Sequence, residues 1–173
     1  MVVPWPPRPL PSPPAGLHDA FVLRPPTRAD APALAAAWAD PEIERWLDPP
    51  GADVASAQRW LAGEPARRGA AVALDLAIVV DRELVGEIGF SSFDEPRRAC
   101  LVGYWLAPGE RGRGIASAAL AVAVAWLRSE IGALTVIAEC DPANTSSHNV
   151  AERAGFDLLA ADHGGRRVYA NRG

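Results

Sequence analysis

The sequence predicts a single mixed α/β domain with a mostly antiparallel sheet of six to seven strands flanked by helices. A length of 173 residues suits one hydrophobic core. Three consecutive short apolar runs, at 70–80, 84–93 and 99–106, are separated by tight turns, which is typical of an antiparallel meander. A long apolar helix then precedes one more strand, and this helical crossover predicts a parallel pair at that point of the sheet.

Residues 1–17 differ from the rest of the chain in their proline content. Seven of the first fourteen residues are proline, which excludes a helix or an interior strand there. We therefore expect a flexible, extended arm at 1–17 and a single domain at 18–173.

Local signals predict the remaining elements in order. A first strand at 20–24 precedes helices at 27–39, 40–47 and 53–61, the second of which begins with Asp40-Pro41-Glu42, a cap followed by proline at the first helical position. Three tryptophans of this helical part, Trp38, Trp46 and Trp60, are candidates for either core packing or pocket walls. After the meander we expect a helix at 117–127, a strand at 135–140, a helix at 144–154 and a hairpin of 158–161 with 166–170.

The loop after the fourth predicted strand has the composition of an anion site. It reads Arg111-Gly112-Arg113-Gly114-Ile115-Ala116 and leads directly into the long helix, whose free N–H groups and positive dipole end favour a diphosphate. A Walker A loop is excluded, because all seventeen cationic residues are arginines and no lysine is present. A dinucleotide fingerprint fits poorly, because Ser117 stands where its third glycine, or an alanine, belongs. The pattern R-x-x-G-x-A fits at every position.

A second pattern, N-x-x-S-x-x-V-x-x-x-x-G-F, begins about thirty residues later at Asn144 and ends at Phe156. Together the two motifs resemble the GNAT superfamily of N-acetyltransferases, and the second resembles its RimJ/RimL-like branch of ribosomal-protein N-terminal acetyltransferases. The resemblance covers roughly residues 20–169. It implies the GNAT fold, with the fourth and fifth strands splayed apart, and acetyl-CoA as the acetyl donor.

The resemblance also implies roles for particular residues. The diphosphate would rest on the loop from Arg111 to Ala116, and the end of the fourth strand would reach the pantetheine and the thioester carbonyl. Asn144 would bind pantetheine, and Ser147 would donate a proton to the departing thiolate. Helix capping is an alternative explanation for both of these residues. The expected cofactor-binding residues are Tyr104, Trp105, Leu106, Arg111, Gly112, Arg113, Gly114, Ile115, Ala116, Asn144 and Ser147.

The general base is harder to assign. Many relatives place a glutamate on the fourth strand, but Cys100 or Leu101 stands there in this chain. Glu87 on the third strand is the nearest candidate, although it could equally be an exposed strand residue. A site without a dedicated carboxylate suits either base catalysis through water or an α-amine, whose pKa near 8 is closer to neutral than that of a lysine, near 10.4.

These observations predict an acetyl-CoA-dependent N-acetyltransferase that works by direct transfer in a ternary complex. The acceptor is a protein N-terminus, an amino acid or a small amine. Acidic residues of the helical part keep an aminoglycoside or polyamine open as the acceptor: Glu42, Glu44, Asp48 and Asp53. The alternative from another class is a non-catalytic acyl-CoA-binding module.

Several partner classes are not expected. A net charge of −4 argues against nucleic acid. Cys100 and Cys140 are expected to be buried thiols, and the three histidines lack the spacing of metal ligands, so no metal is expected. The sequence has no signal peptide and no membrane-spanning run, so we expect a cytoplasmic protein without a membrane partner. A homodimer remains open.

Overall fold

The computed structural model describes residues 9–11, 20–132 and 135–172. Along the chain, the strands of the antiparallel meander come before the longest helix. The elements are β1 (Leu10–Pro11), β2 (Val22–Arg24), α1 (Ala31–Trp38), α2 (Pro41–Leu47), α3 (Val54–Gly69), β3 (Ala73–Val80), β4 (Glu83–Asp94), β5 (Ala99–Leu106), α4 (Ile115–Ile131), β6 (Thr135–Cys140), α5 (Thr145–Arg153), β7 (Asp157–His163) and β8 (Arg166–Asn171).

The strands form one sheet in the order β1-β2-β3-β4-β5-β6-β8-β7. All neighbouring pairs are antiparallel except β5 and β6, which are parallel as the helical crossover predicts. The strand beyond the expected six to seven is β1, where Leu10 and Pro11 pair with β2 at the edge of the sheet. An edge is the position in which a strand tolerates proline. The rest of the proline-rich arm, 1–8 and 12–17, lies outside the described residues.

Helices cover both faces of the sheet and create two core clusters. On one face α4 packs against the meander, with Leu120 and Leu127 fully buried among strand residues such as Ile88. On the other face α1, α2 and α3 pack over β3, β4 and β5, with Leu34 and Trp38 in that core. The candidate site residues lie at the ends of strands. The helices on both faces of the sheet therefore border the region that contains these residues.

Three helices differ from the sequence-based expectation. The first is α-helical only from Ala31, after a 3-10 turn at Arg28–Asp30. The third helix continues past Leu61 to Gly69 and contains Pro65. Its second half is held by side-chain ion pairs, from Arg68 to Glu64 on the same helix and from Arg67 to Asp75 on β3. The long helix begins at Ile115 rather than Ser117, because the left-handed Gly114 ends the loop directly before it.

The splay between the fourth and fifth predicted strands is visible in the register of β5 and β6. These strands pair only where Ala99–Leu101 face Thr135–Ile137. From Val102 onward β5 leaves β6, which continues instead along β8. The divergence opens a cleft at the C-terminal end of both parallel strands.

Within the described residues, the helices are too short or too polar to cross a membrane.

Candidate active site

The cleft between β5 and β6 contains a cavity with a volume of about 560 Å³, which lies within the range of small-molecule sites. We call it the cofactor cavity. The second half of β5 and the end of β6 form its sides, and α2, α5 and the start of α4 complete it. The expected residues that line it are Tyr104, Trp105, Leu106, Arg111, Gly112, Gly114, Ile115, Ala116, Asn144 and Ser147.

Two glycines shape the loop that enters α4. Gly112 and Gly114 have φ angles of +77° and +74°, in the left-handed region that favours glycine. A Cβ on Gly112 would meet no atom within 4 Å. Position 112 therefore favours glycine because of its backbone conformation, and not because a side chain would clash. The start of the 17-residue α4, from Ile115 to Ser117, lines the cofactor cavity. The free N–H groups and positive dipole end of a helix's first turn suit a diphosphate.

The two arginines of this loop have different partners. Arg111 Nε donates to the Leu106 carbonyl at 3.0 Å, and its two terminal nitrogens pair with the carboxylates of Asp40, at 2.8 Å, and Glu42. It therefore ties the loop to the start of α2. Arg113 pairs with Glu110 at 2.5 Å and does not line the cavity.

Two polar residues at the start of α5, Asn144 and Ser147, make different kinds of contact. The Asn144 side chain accepts a hydrogen bond from the Ser147 amide at 3.0 Å, so Asn144 caps the helix. The Ser147 hydroxyl instead lies 3.1 Å from both Tyr104 Oη, to which it donates, and Cys140 Sγ. Tyr104 Oη in turn donates to the Ser147 carbonyl at 2.8 Å. Ser147 thus sits inside a hydroxyl–thiol cluster and does not cap a backbone group.

Burial raises the pKa of both ionisable members of this cluster. Desolvation is the largest cause for the Tyr104 hydroxyl and for the Cys140 thiol. Both groups therefore keep their protons at neutral pH. The cluster can supply a proton to an anion that forms in the cofactor cavity.

A second cavity, of about 250 Å³, opens on the helical side of β5, and we call it the acceptor-side cavity. Its walls include Trp38 and Trp60, whose rings meet edge to face at 5.7 Å. Trp46 lines the cofactor cavity instead. The two cavities share the lining residues Leu47, Gly103, Tyr104 and Trp105, so they meet at the end of β5.

Glu87 lies in the acceptor-side cavity and not in the cofactor cavity. Its carboxylate accepts a hydrogen bond from Trp105 Nε1 at 3.2 Å. Desolvation, followed by the nearby charge of Asp75, raises the pKa of Glu87 to about 8. A carboxyl group with that pKa exchanges protons near neutral pH, which is the property expected of a general base.

The structure brings most of the predicted site residues together and separates two of them. Arg113 points away to Glu110, and Glu87 occupies the neighbouring cavity. The sequence analysis missed three contributors: Cys140, which contacts Ser147, and the buried Asp75 with its partner Arg67. A cysteine at the end of a strand, four residues before Asn144, carries no recognisable signal, and Asp75 looks like an ordinary strand residue in the sequence. In the described part of the chain, no group of three or more potential ligands could hold a metal ion.

Comparison with known proteins assigns the architecture. A family model described as "Acetyltransferase (GNAT) domain" matches residues 21–157. The structure of Mycobacterium smegmatis RimJ in complex with CoA-disulfide superimposes with a TM-score of 0.80, at 26% identity over 95% of this chain and 86% of that one. RimL, a ribosomal L7/L12 α-N-protein acetyltransferase solved with coenzyme A, superimposes with a TM-score of 0.77, at 22% identity over 91% and 96% of the two chains. An uncharacterized N-acetyltransferase, p20 of Bacillus licheniformis, is 24% identical over 141 residues, which are 80% of this chain and 79% of that protein.

The fold and the cleft at its splayed strands define an acyltransferase that uses acetyl-CoA. This chain belongs to the GNAT acetyltransferase family, and its fold is similar to that of RimJ and RimL.

Proposed function

We propose that this protein transfers the acetyl group of acetyl-CoA to the α-amine of a peptide N-terminus, with both substrates bound at once. The observation that carries the proposal is the junction of the two cavities at Tyr104 and Trp105. A thioester in the cofactor cavity and an amine in the acceptor-side cavity would meet at the end of β5. Direct transfer needs that proximity and no covalent enzyme intermediate.

Glu87 is the proposed general base. The amine arrives as an ammonium ion and gives its first proton to the ionised Glu87 carboxylate. An α-amine and Glu87 both have pKa values near 8, so this transfer is nearly balanced in free energy. A lysine amine, with a pKa near 10.4, would make the same transfer unfavourable by roughly 3 kcal/mol. This match supports an α-amine over a lysine side chain.

Ser147 is the proposed proton donor to the leaving group. The new bond joins the amine nitrogen to the acetyl carbon, the carbon–sulfur bond breaks, and the sulfur takes a proton. The Ser147 hydroxyl supplies that proton and recovers one from the amide nitrogen as the second N–H proton is lost. Its contacts with Tyr104 Oη and Cys140 Sγ, at 3.1 Å each, orient the hydroxyl within the cofactor cavity. The first proton leaves Glu87 to solvent.

The charges near the acceptor-side cavity favour a single amine over a polyamine or aminoglycoside. Of the acidic residues in the helical part, only Asp48 joins Glu87 in lining this cavity. Glu42 pairs with Arg111, and Asp53 caps α3 by accepting from the Ser56 amide at 2.9 Å. A polycationic acceptor would need several free carboxylates. A free amino acid would need a cation for its own carboxylate, and the cavity has none among its described lining residues.

The test measures thiol release from acetyl-CoA with matched acceptors. The set contains short peptides with a free N-terminus, the same peptides with a blocked N-terminus and one internal lysine, free amino acids, spermidine and an aminoglycoside. We expect release with the free N-termini and at least tenfold less with every other member. Release that follows the internal lysine or the polyamines would contradict the proposal.

Ser147→Ala separates catalysis from cofactor binding in the same assay. We expect this variant to bind CoA in calorimetry with nearly unchanged affinity and to release thiol at least tenfold more slowly. Thr145→Ala, an exposed position in the first turn of the same helix, is the matched control. Equal loss in both variants would point to damage of α5 and not to a missing proton donor.

A further inference from the structure

A second carboxylate faces Glu87 inside the fold. Asp75 on β3 is only 6% exposed and pairs with Arg67 of α3 at 3.2 Å. In the sheet register Asp75 lies opposite Gly89, two residues along β4 from Glu87. Asp75 and Glu87 are therefore neighbours on the same face of the sheet.

Gly89 leaves the space between the two carboxylates open. A Cβ at this position would lie 3.1 Å from Asp75 Oδ1 and 3.6 Å from Glu87 Oε1. Asp75 Oδ1 and Glu87 Oε1 therefore both lie next to the space that a side chain at position 89 would occupy. Gly89 also lines the acceptor-side cavity. Any residue other than glycine would insert an apolar group between the carboxylates.

Arg67 holds this arrangement from the helical side. One terminal nitrogen bonds to Asp75, and the other donates to the Trp60 carbonyl at 2.8 Å. The guanidinium also stacks over the Trp60 ring, 4.5 Å from its centroid. The cation is therefore fixed next to Asp75, and Trp60 forms a wall of the cavity that Glu87 enters.

We propose that Asp75 is a positioning residue for the general base: Asp75, held by Arg67, and Glu87 form a carboxylate pair across Gly89 that accepts the acceptor's first proton as a unit. Glu87 receives the proton from the ammonium ion. Burial raises the pKa of Asp75, and the pairing with Arg67 opposes that rise. In the proposed pair Asp75 carries the negative charge and does not contact the amine. This inference depends on the proposed role of Glu87 and assigns Asp75, Arg67 and Gly89 to the same reaction.

The charges around the pair adjust the proton affinity of Glu87. Burial is the largest cause that raises the pKa of Glu87, and the charge of Arg67 lowers it. The negative charge of Asp75 opposes Arg67 and strengthens the hold of Glu87 on a proton. The other charged or titratable groups nearby are Glu64 and Arg68, which pair with each other on α3, and Asp48 and Tyr104 on the cavity wall.

The test uses two substitutions with opposite expected signs. Asp75→Asn removes a negative charge, so Glu87 should ionise at lower pH and the acidic limb of the kcat profile should move down by about one pH unit. Arg67→Gln removes a positive charge, so the same limb should move up. General loosening of the fold would move both variants in the same direction.

Carbon-13 NMR of glutamate-labelled protein measures the Glu87 titration without any turnover. The Glu87 signal is assigned as the one that disappears in Glu87→Gln. Glu83→Gln is the matched control, because Glu83 is an exposed carboxylate at the start of the strand that carries Glu87. We expect the titration midpoint of Glu87 near pH 8 in the wild type, lower in Asp75→Asn, higher in Arg67→Gln and unchanged in Glu83→Gln.

The proposed carboxylate pair would be refuted by an unchanged Glu87 titration midpoint in Asp75→Asn. It would also be refuted if the midpoint moved in the same direction in Asp75→Asn and Arg67→Gln. If Asp75→Asn does not fold, the Glu87 titration midpoint in Arg67→Gln tests the pair by itself: an upward shift supports the pair, and no shift or a downward shift refutes it. Opposite shifts in the NMR titration of a protein that acetylates no N-terminal amine would leave the pair intact and refute the proposed function instead.

Discussion

The two cavities that meet at Tyr104 are built from different parts of the polypeptide. The cofactor cavity depends mainly on backbone: a splayed strand edge, two left-handed glycines and the first turn of α4. The acceptor-side cavity depends on side chains from α1, α3, β4 and β5, among them Glu87, whose carboxylate faces Asp75 across Gly89. A site built from backbone groups requires particular residue types at a fixed spacing along the chain. A site built from side chains requires only that the fold bring together residues that are distant in sequence.

This difference predicts that damage to the two cavities will have different kinetic signatures. A change in the glycine loop of the cofactor cavity should alter CoA affinity, and a change in the acceptor-side cavity should alter the rate of transfer with CoA affinity intact. Three substitutions test this contrast.

Glu87→Gln should have the largest effect. The amide keeps the shape of the side chain and can still accept a hydrogen bond from Trp105, but it cannot take a proton from the acceptor. We expect kcat to fall about 10²- to 10³-fold, with the Kd of CoA unchanged in calorimetry. Glu83→Gln, an exposed position on the same strand, should leave both values at the wild-type level. A large loss of CoA affinity in Glu87→Gln would break the contrast between the cavities.

Gly112→Ala should have an intermediate effect of the opposite kind. The left-handed conformation at φ +77° costs an alanine about 1–2 kcal/mol, so the loop relaxes away from the geometry that receives the diphosphate. That cost corresponds to roughly 5- to 30-fold weaker CoA binding, while kcat at saturating acetyl-CoA changes little. Gly109→Ala is the control, because its added Cβ also meets open space and its φ is not positive. Equal weakening in both variants would mean that the conformation of Gly112 is not what matters.

Arg111→Ala should have the smallest effect on catalysis and a measurable effect on stability. Arg111 is bound to Leu106, Asp40 and Glu42, so its removal detaches the loop from α2. Its side chain is 33% exposed, which limits the contribution of such pairs, and we expect a Tm lower by about 2–4 °C. Arg113→Ala removes a contact with a neighbour three residues away and should change the Tm less. A loss of CoA affinity in Arg111→Ala that is larger than in Gly112→Ala would show that Arg111 binds the diphosphate directly.

Local signals were sufficient for most of the fold. The bounds of β5 and β6 agree with the sequence-based prediction at 99–106 and 135–140, because each run is apolar, β-branched and ended by a turn signal. The end of α3 was predicted eight residues too early, because the ion pairs of Arg67 and Arg68 that extend it involve partners whose proximity the sequence does not reveal. The two-residue β1 was also missed, since a strand of that length has no periodicity to detect.

For the site, the sequence by itself identified cofactor-binding residues, most of which line the cofactor cavity. Arg111 to Ala116, Asn144 and Ser147 follow a motif because glycine φ angles and a helix N-terminus are local properties of consecutive residues. Only the tertiary structure decided that Arg111 turns to α2, that Glu87 lies in a separate cavity, and that Asp75 faces Glu87 across Gly89. Those contacts join residues 12 to 71 positions apart, and the charges and desolvation that set their protonation arise only when the strands and helices that carry them are packed together.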